Sequence, residues 1–158
     1  MDKKCLIIDP GDDENFIVTR IRELDCNPVG VIVTHNHSDH NKCAKSIGNI
    51  YGVRVYDYNN LFEQEHFLNP FKFRVIYTPG HTSDSITLYF KDYDVMFCGD
   101  FIFKDGIGRT DLPGGSFQDM IDSIRKISAY SDDVILYPGH GKKTTIGHEK
   151  KFNVSFDV

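Results

Sequence analysis

Tryptophan is absent from this 158-residue sequence, so its aromatic packing rests on twelve phenylalanines and eight tyrosines. Cysteine is scarce: Cys5, Cys26, Cys43 and Cys98 form no Cys-x-x-Cys pair, which excludes zinc-ribbon and dithiol redox motifs. No secretory leader is legible ahead of the first apolar run, "CLIID", so a disulfide framework is not expected and the thiols read as buried and free. No apolar stretch approaches the roughly 18 residues that cross a bilayer. Together these lacks predict a cytoplasmic protein with no membrane contact. An excess of basic residues is also missing: a net charge of −5 repels polyanions and leaves no nucleic-acid partner. The pairs Lys142-Lys143 and Lys150-Lys151 are too short to reverse that and read as solvated surface.

What is present fits a single domain over residues 1–158, long enough to bury roughly 68–70% of the unfolded chain's surface. Apolar runs that read as buried strands recur along its length: "CLIID", "GVIVT", "VRVYD", "FKFRVIYT", "SITLYF", "DVMFCGD" and "DVILYPG". Two helical patterns lie between them. Over 13–24, Ile17, Ile21 and Leu24 share a face, with Asp12 or Asp13 as the cap; over 116–129, Phe117, Met120, Ile121, Ile124 and Ile127 do so, with Ser116 as the cap. A third helix is expected over about 39–51. Early alternation of strands and helices, followed by a hairpin through "KDYD", predicts an α/β layered fold with a mixed sheet.

The stretch "VIVTHNHSDH" ends an apolar strand on three histidines and an aspartate within six residues. If 34–39 stays extended, His35, His37 and Asp39 face one side, and His40 follows at a helix entrance. Imidazoles and a carboxylate in such proximity suit a divalent cation. The competing reading is a polar loop whose histidines only hydrogen-bond, but the end of a buried strand tolerates few unpaired polar groups. Three further strands end on ligand-type residues: "IYTPGH" on His81, "VMFCGD" on Asp100 and "VILYPGH" on His140. Each alone is weak; their recurrence draws five of the seven histidines into one constellation and leaves His66 and His148 as surface residues.

The order H-x-H-x-D-H, G-H, G-D, G-H resembles the metallo-β-lactamase fold superfamily along nearly the whole chain. That resemblance implies an αβ/βα sandwich with a two-metal site at one edge. It also implies His35, His37 and His81 on the first metal, Asp39, His40 and His140 on the second, and Asp100 bridging both. Zinc is the default metal; iron or manganese would also accept such a nitrogen and oxygen donor set. True metallo-β-lactamases of this resemblance carry cysteine at the bridging position, so Asp100 points elsewhere in the superfamily, and Cys98 is given a packing role. The loop "GIGRTDLPGGS" resembles that of small glyoxalase II-like hydrolases and, less closely, that of persulfide dioxygenases. Within it Arg109 and Asp111 can pair, and the loop can support the site from outside.

Two departures stand out. "NKCA" follows the loop histidine where the resemblance implies small residues, which bears on how the next helix starts. The chain also begins almost at "IIDPG", short of the N-terminal hairpin the resemblance implies; an uncovered sheet edge and a homo-oligomer are the expectation. The functional expectation is a binuclear metal-dependent hydrolase acting on a thioester or ester of a small-molecule substrate. Asp39 would orient the attacking hydroxide, and Tyr137 is a possible proton donor or a packing residue. Two alternatives remain open: a mononuclear iron persulfide dioxygenase using His35, His81 and Asp100, and a catalytically inactive metal-binding domain.

Overall fold

The computed structural model describes residues 3–157. Its first half runs through β1 (Lys3–Ile8), α1 (Glu14–Glu23), β2 (Cys26–Ile32), α2 (Ser38–Asn41), α3 (Ala44–Tyr51) and β3 (Val55–Tyr56). The three strands pair in parallel in the order β1-β2-β3, since a helix carries the chain back before each new strand. Asp13 is the cap of α1, its carboxylate accepting from the Phe16 amide at 3.0 Å. Ile17 and Ile21 turn inward as expected, but Leu24 stays exposed because the helix ends one residue before it. The single helix expected over 39–51 is two. The break at Lys42-Cys43 has a cause: the Cys43 amide donates to the Pro10 carbonyl at 2.9 Å, which ties the start of α3 to the turn after β1.

The second half comprises β4 (Glu65–Leu68), β5 (Phe71–Tyr77), β6 (Ile86–Phe90), β7 (Val95–Gly99), β8 (Ile102–Phe103), β9 (Gly106–Ile107), α4 (Phe117–Ser128), β10 (Ile135–Pro138), β11 (Thr144–Thr145) and α5 (Ile146–Phe152). Its main sheet has the order β11-β10-β7-β6-β5-β4, with β10 and β7 parallel and the other neighbours antiparallel. The expected hairpin through Lys91–Tyr93 joins β6 to β7. The run "VRVYD" contributes only the two residues of β3. The sequence reading did not anticipate β4, the β8–β9 hairpin, β11 or α5, which are too short to show a period.

Alternation across β7 shows the layering. Met96 and Cys98 pack against Met120, Ile124 and Ile127 of α4, while Val95 and Phe97 turn to the cluster that reaches Leu6, Ile8 and Ile32 of the first sheet. On the far side of the first sheet Val31 and Val33 pack with Ala44 and Ile47 of α3. The layers are thus helix, sheet, sheet, helix, the αβ/βα sandwich expected from the resemblance. Phe117 departs from the expected buried face of α4: it is the first helical residue, 61% exposed, and Ser116 before it is the cap, its hydroxyl accepting from the Asp119 amide. Among the described residues no helix is long and apolar enough to cross a membrane.

His148 is not a free surface residue. Its Nε2 lies 2.6 Å from Asp105 Oδ1, beside the fully buried Glu149. Glu149 accepts from the Thr144 hydroxyl, the Asn153 amide group and the Asp105 backbone amide, which fastens α5 to the β8–β9 turn.

Candidate metal centre

Strand direction decides where the polar strand ends gather. β7 and β10 are parallel, and β5 runs the same way because two antiparallel steps separate it from β7. The chain therefore leaves β5 toward His81, β7 toward Asp100 and β10 toward His140 at one edge of the sandwich. Across from them β1 ends on Asp9, and β2 leads through Thr34 to His35.

The seven residues singled out in the sequence meet there as two groups. In the first, His37 Nδ1 lies 3.1 Å from His35 Nε2 and 3.0 Å from His81 Nε2. In the second, His140 Nε2 is 3.0 Å from Asp39 Oδ2, and His40 Nε2 is 3.3 Å from Asp100 Oδ1. Asp100 also reaches toward the first group, with Oδ2 3.8 Å from His81 Nε2. Asp39 does not share the face of His35 and His37. α2 begins at Ser38, and this turns Asp39 with His40 into the second group. His35, His40 and His81 are buried, whereas Asp39 and His140 are exposed, so the centre opens to solvent on the Asp39–His140 side.

Residues behind these side chains fix their orientation. His40 Nδ1 donates to Asp9 Oδ2 at 2.9 Å, and His81 Nδ1 donates to the Arg109 carbonyl at 2.8 Å. Each contact leaves Nε2 with its lone pair directed inward. Asp9 further accepts from the Thr34 amide and hydroxyl at 2.7 and 2.6 Å. Arg109 and Asp111 do pair, through two contacts of 2.8 Å, and the loop supports the site through a backbone carbonyl. The sequence reading missed Asp9 as a functional residue. Its signal was present in "IIDPG", another strand ending on a carboxylate just before a turn.

The local electrostatics demand positive charge. Burial opposes ionisation of His40, but the facing Asp100 carboxylate and the hydrogen-bonded Asp9 prevail and raise its pKa to about 10. His35 behaves oppositely: burial first, then the neighbouring His40 charge, lowers it to about 3. A divalent cation meets the demand of the Asp9 and Asp100 carboxylates as well as a proton does, and it lets every imidazole act as a neutral ligand. The side chains fit that role. Among the described residues His40 Nε2 and Asp100 Oδ1 are buried atoms without a hydrogen-bond partner, and they face each other. The nitrogens of the first group stand close to the spacing of about 3.3 Å that bonds of roughly 2.0–2.1 Å to one tetrahedral ion would give.

Two glycines make the convergence possible. A Cβ on Gly139 would press into the His40 ring and Asp100 Oδ1, so only glycine lets β10 pass this close. Gly99 has φ near +50°, which takes Asp100 out of the strand's alternation. Asp100 therefore does not share a face with Cys98. That thiol is buried in the α4 side of the core and contacts the Ile102 and Tyr137 carbonyls. Tyr137 stacks on Phe97 with ring centroids 5.2 Å apart, a packing role.

Comparison with known proteins agrees with this geometry. The profile of the metallo-β-lactamase superfamily matches residues 2–65 and 60–140. The hydroxyacylglutathione hydrolase GloC of Haemophilus influenzae is 35% identical, covering 96% of this chain and 87% of the relative. That alignment runs over 184 residues, longer than the 158-residue chain, so the relative carries internal residues that this chain lacks. Among solved structures, the B3 metallo-β-lactamase BLEG-1 superposes with a TM-score of 0.95 at 28% identity, covering 99% of this chain and 90% of that one. ETHE1 from Myxococcus xanthus gives a TM-score of 0.87 at 28% identity, covering 96% and 73%. With a profile that spans most of the chain and a strand-end constellation to match, the protein belongs to the metallo-β-lactamase superfamily.

Proposed function

We propose that the protein is a binuclear metal-dependent hydrolase of thioesters, with hydroxyacyl-glutathione-like compounds as the substrate class. His35, His37 and His81 would hold one ion, Asp39, His40 and His140 the other, and Asp100 would lie between them. Zinc is the ion best suited to this set of imidazoles and carboxylates. The observation that carries the proposal is the pairing of two complete ligand groups around one carboxylate, with His40 Nε2 and Asp100 Oδ1 otherwise unsatisfied.

When bound, the ions would supply Lewis acidity that makes water ionise near neutral pH and a field that stabilises an oxyanion. The chain's own residues do the rest. Asp39 is an exposed carboxylate at the mouth of the centre, 3.0 Å from His140 Nε2, placed to accept a hydrogen bond from the attacking water and to orient it. Asp9 and the Arg109 carbonyl hold the imidazoles of His40 and His81 still, which keeps the reacting geometry fixed. A thiolate leaves without help from a strong acid, because a thiol's pKa is only about 8.5. That agrees with Tyr137 having a packing role against Phe97. The 35% identity with a hydroxyacylglutathione hydrolase supports a thioester over other acyl groups.

A mononuclear iron oxygenase would need only His35, His81 and Asp100. It would leave His40, with its carboxylate partner Asp9, and the Asp39–His140 pair without a task. The likeness to ETHE1 is no higher in identity than that to BLEG-1 and covers less of the neighbour.

The experiment is elemental analysis of the purified protein, followed by rates on a hydroxyacyl-glutathione, a simple thioester, a lactone, a chromogenic cephalosporin and a persulfide with oxygen. The proposal expects close to two zinc ions per chain and the highest kcat/KM on a thioester. One ferrous ion with persulfide-dependent oxygen uptake, or no bound metal after zinc supplementation, would overturn it.

A further inference from the structure

At the carboxyl ends of β2 and β3, on the face that packs against α3, lies a cavity of about 370 Å³. Open parallel sheets bind their ligands at such ends. The cavity shares His35 with the metal centre, and Asp84, three residues after His81, also lines it. The connection from β3 to β4 contributes Asp57, Tyr58 and Asn59. That connection is short in this chain. The two profile matches to the superfamily meet at residues 60–65, and the Haemophilus relative carries additional residues within the aligned span. The break in the profile places the missing residues in this connection, and their absence leaves the cavity open beside the centre.

The lining is largely polar, and most of its polar groups are already engaged. Lys42 pairs with Asp12 at 2.8 Å, Asn41 donates to Asn36, and Asp57 Oδ1 accepts from the Asn59 amide at 2.9 Å. Lys45 and Asp84 differ. Among the described residues neither side chain has a hydrogen bond or an ion pair, and the two do not reach each other. Lys45 is exposed and Asp84 half-buried. A carboxylate that has lost part of its hydration is stabilised by a cation, and an unpaired ammonium at the same cavity attracts an anion. The cavity thus offers one free charge of each sign next to the first ligand group.

We propose that this cavity is the subsite for a zwitterionic α-amino acid end of the substrate, the γ-glutamyl end of a glutathione thioester. The inference rests on the thioester reading above and adds which end of the substrate the chain grips. Lys45 pairs with the α-carboxylate of the γ-glutamyl unit, and Asp84 accepts from its α-ammonium. Only this end calls for both signs of charge, because the glycyl end carries a carboxylate alone. The reach is adequate. The cysteinyl and γ-glutamyl units span about two residue lengths, roughly 7 Å, between the thioester and the charged pair, and the cavity adjoins the centre at His35. Lys45 and Asp84 are therefore specificity residues, which bind the tail and touch no reacting atom.

Trimmed substrates combined with two variants test this on the metal-loaded chain. The thioesters are those of glutathione, of its desamino analogue without the ammonium, and of its decarboxy analogue without the γ-glutamyl carboxylate. Asp84→Asn should lower kcat/KM on the glutathione thioester about tenfold, through KM. The desamino analogue should cost the wild type the same, with no further loss when both changes are combined. Lys45→Met should behave likewise with the decarboxy analogue. A loss spread evenly over all three thioesters would mean a structural role and reject the subsite. S-methylglutathione, which has no acyl group to hydrolyse, gives a second readout by calorimetry: each variant should bind it about tenfold more weakly than the wild type. Thioester hydrolysis that depends on neither charge rejects the subsite and leaves the hydrolase reading standing. Binding of S-methylglutathione that depends on Lys45 and Asp84, without thioester hydrolysis, rejects the reaction and supports the subsite. No binding of S-methylglutathione to the wild type rejects the subsite.

Discussion

Asp9 Oδ2 lies 2.9 Å from Nδ1 of His40, and the same carboxylate holds the Thr34 amide and hydroxyl. One side chain at the end of β1 thus fixes a histidine of the second ligand group and the backbone just before His35 of the first. Asp9→Asn keeps the shape but removes the charge that raises the basicity of His40. Loss of such an outer carboxylate typically costs about 10–100-fold in metal affinity or activity. Chelator competition should show the weakened ion to be the one shared by Asp39, His40 and His140. Unchanged affinity for both ions would remove Asp9 from the mechanism.

His140 contacts Asp39 and Asp100 but no member of the first group, so His140→Ala should lose one ion and retain the other. A hydrolase whose nucleophile depends on both ions should slow by about a hundredfold or more. Asp100→Ala is the control, because its carboxylate touches both groups and its loss should abolish activity. If His140→Ala keeps its full rate with one ion bound, the two-ion mechanism fails.

Gly139→Ala adds a single methyl group, yet that methyl would enter the space held by His40 and Asp100 Oδ1. The expected outcome is a folded protein with far lower activity, on the order of a hundredfold, the usual cost of an ångström of misplacement. Circular dichroism and kinetics on the same sample separate the two effects; wild-type activity would show that the ligands tolerate the shift.

Burial raises the Cys98 thiol to about 12, and burial together with Cys26 does the same for Cys5. Above about pH 9 the unfolded chain ionises these thiols while the folded protein keeps them protonated. Alkali therefore favours the unfolded state. The contribution is intact below pH 9 and declines as the pH climbs toward 12. Melting temperature against pH should fall over that window, and Cys98→Ala should flatten the slope even if it lowers stability at neutral pH. An identical slope in the variant would refute the assignment.

Much of this protein is legible in one dimension. The runs "VIVTHNHSDH", "PGH", "CGD" and "PGH" name the seven residues of the centre, because a buried strand that ends on a metal-ligating side chain is a local pattern, visible without partners. The caps Asp13 and Ser116 and the buried face of α4 are equally local, set by side chains within a turn or two of one another. Other features depended on contacts between distant segments. α3 started late because Cys43 bonded to Pro10 more than thirty residues earlier. Asp9 became an orienting residue only once β1 lay beside β2. His148 gained a carboxylate partner when α5 folded onto Asp105. Sequence by itself determined which side chains could bind and where strands and caps would form, since those follow from local periodicity and donor chemistry. Which of them face one another was decided by the pairing of strands far apart in the chain, a choice among tertiary arrangements that no local pattern encodes.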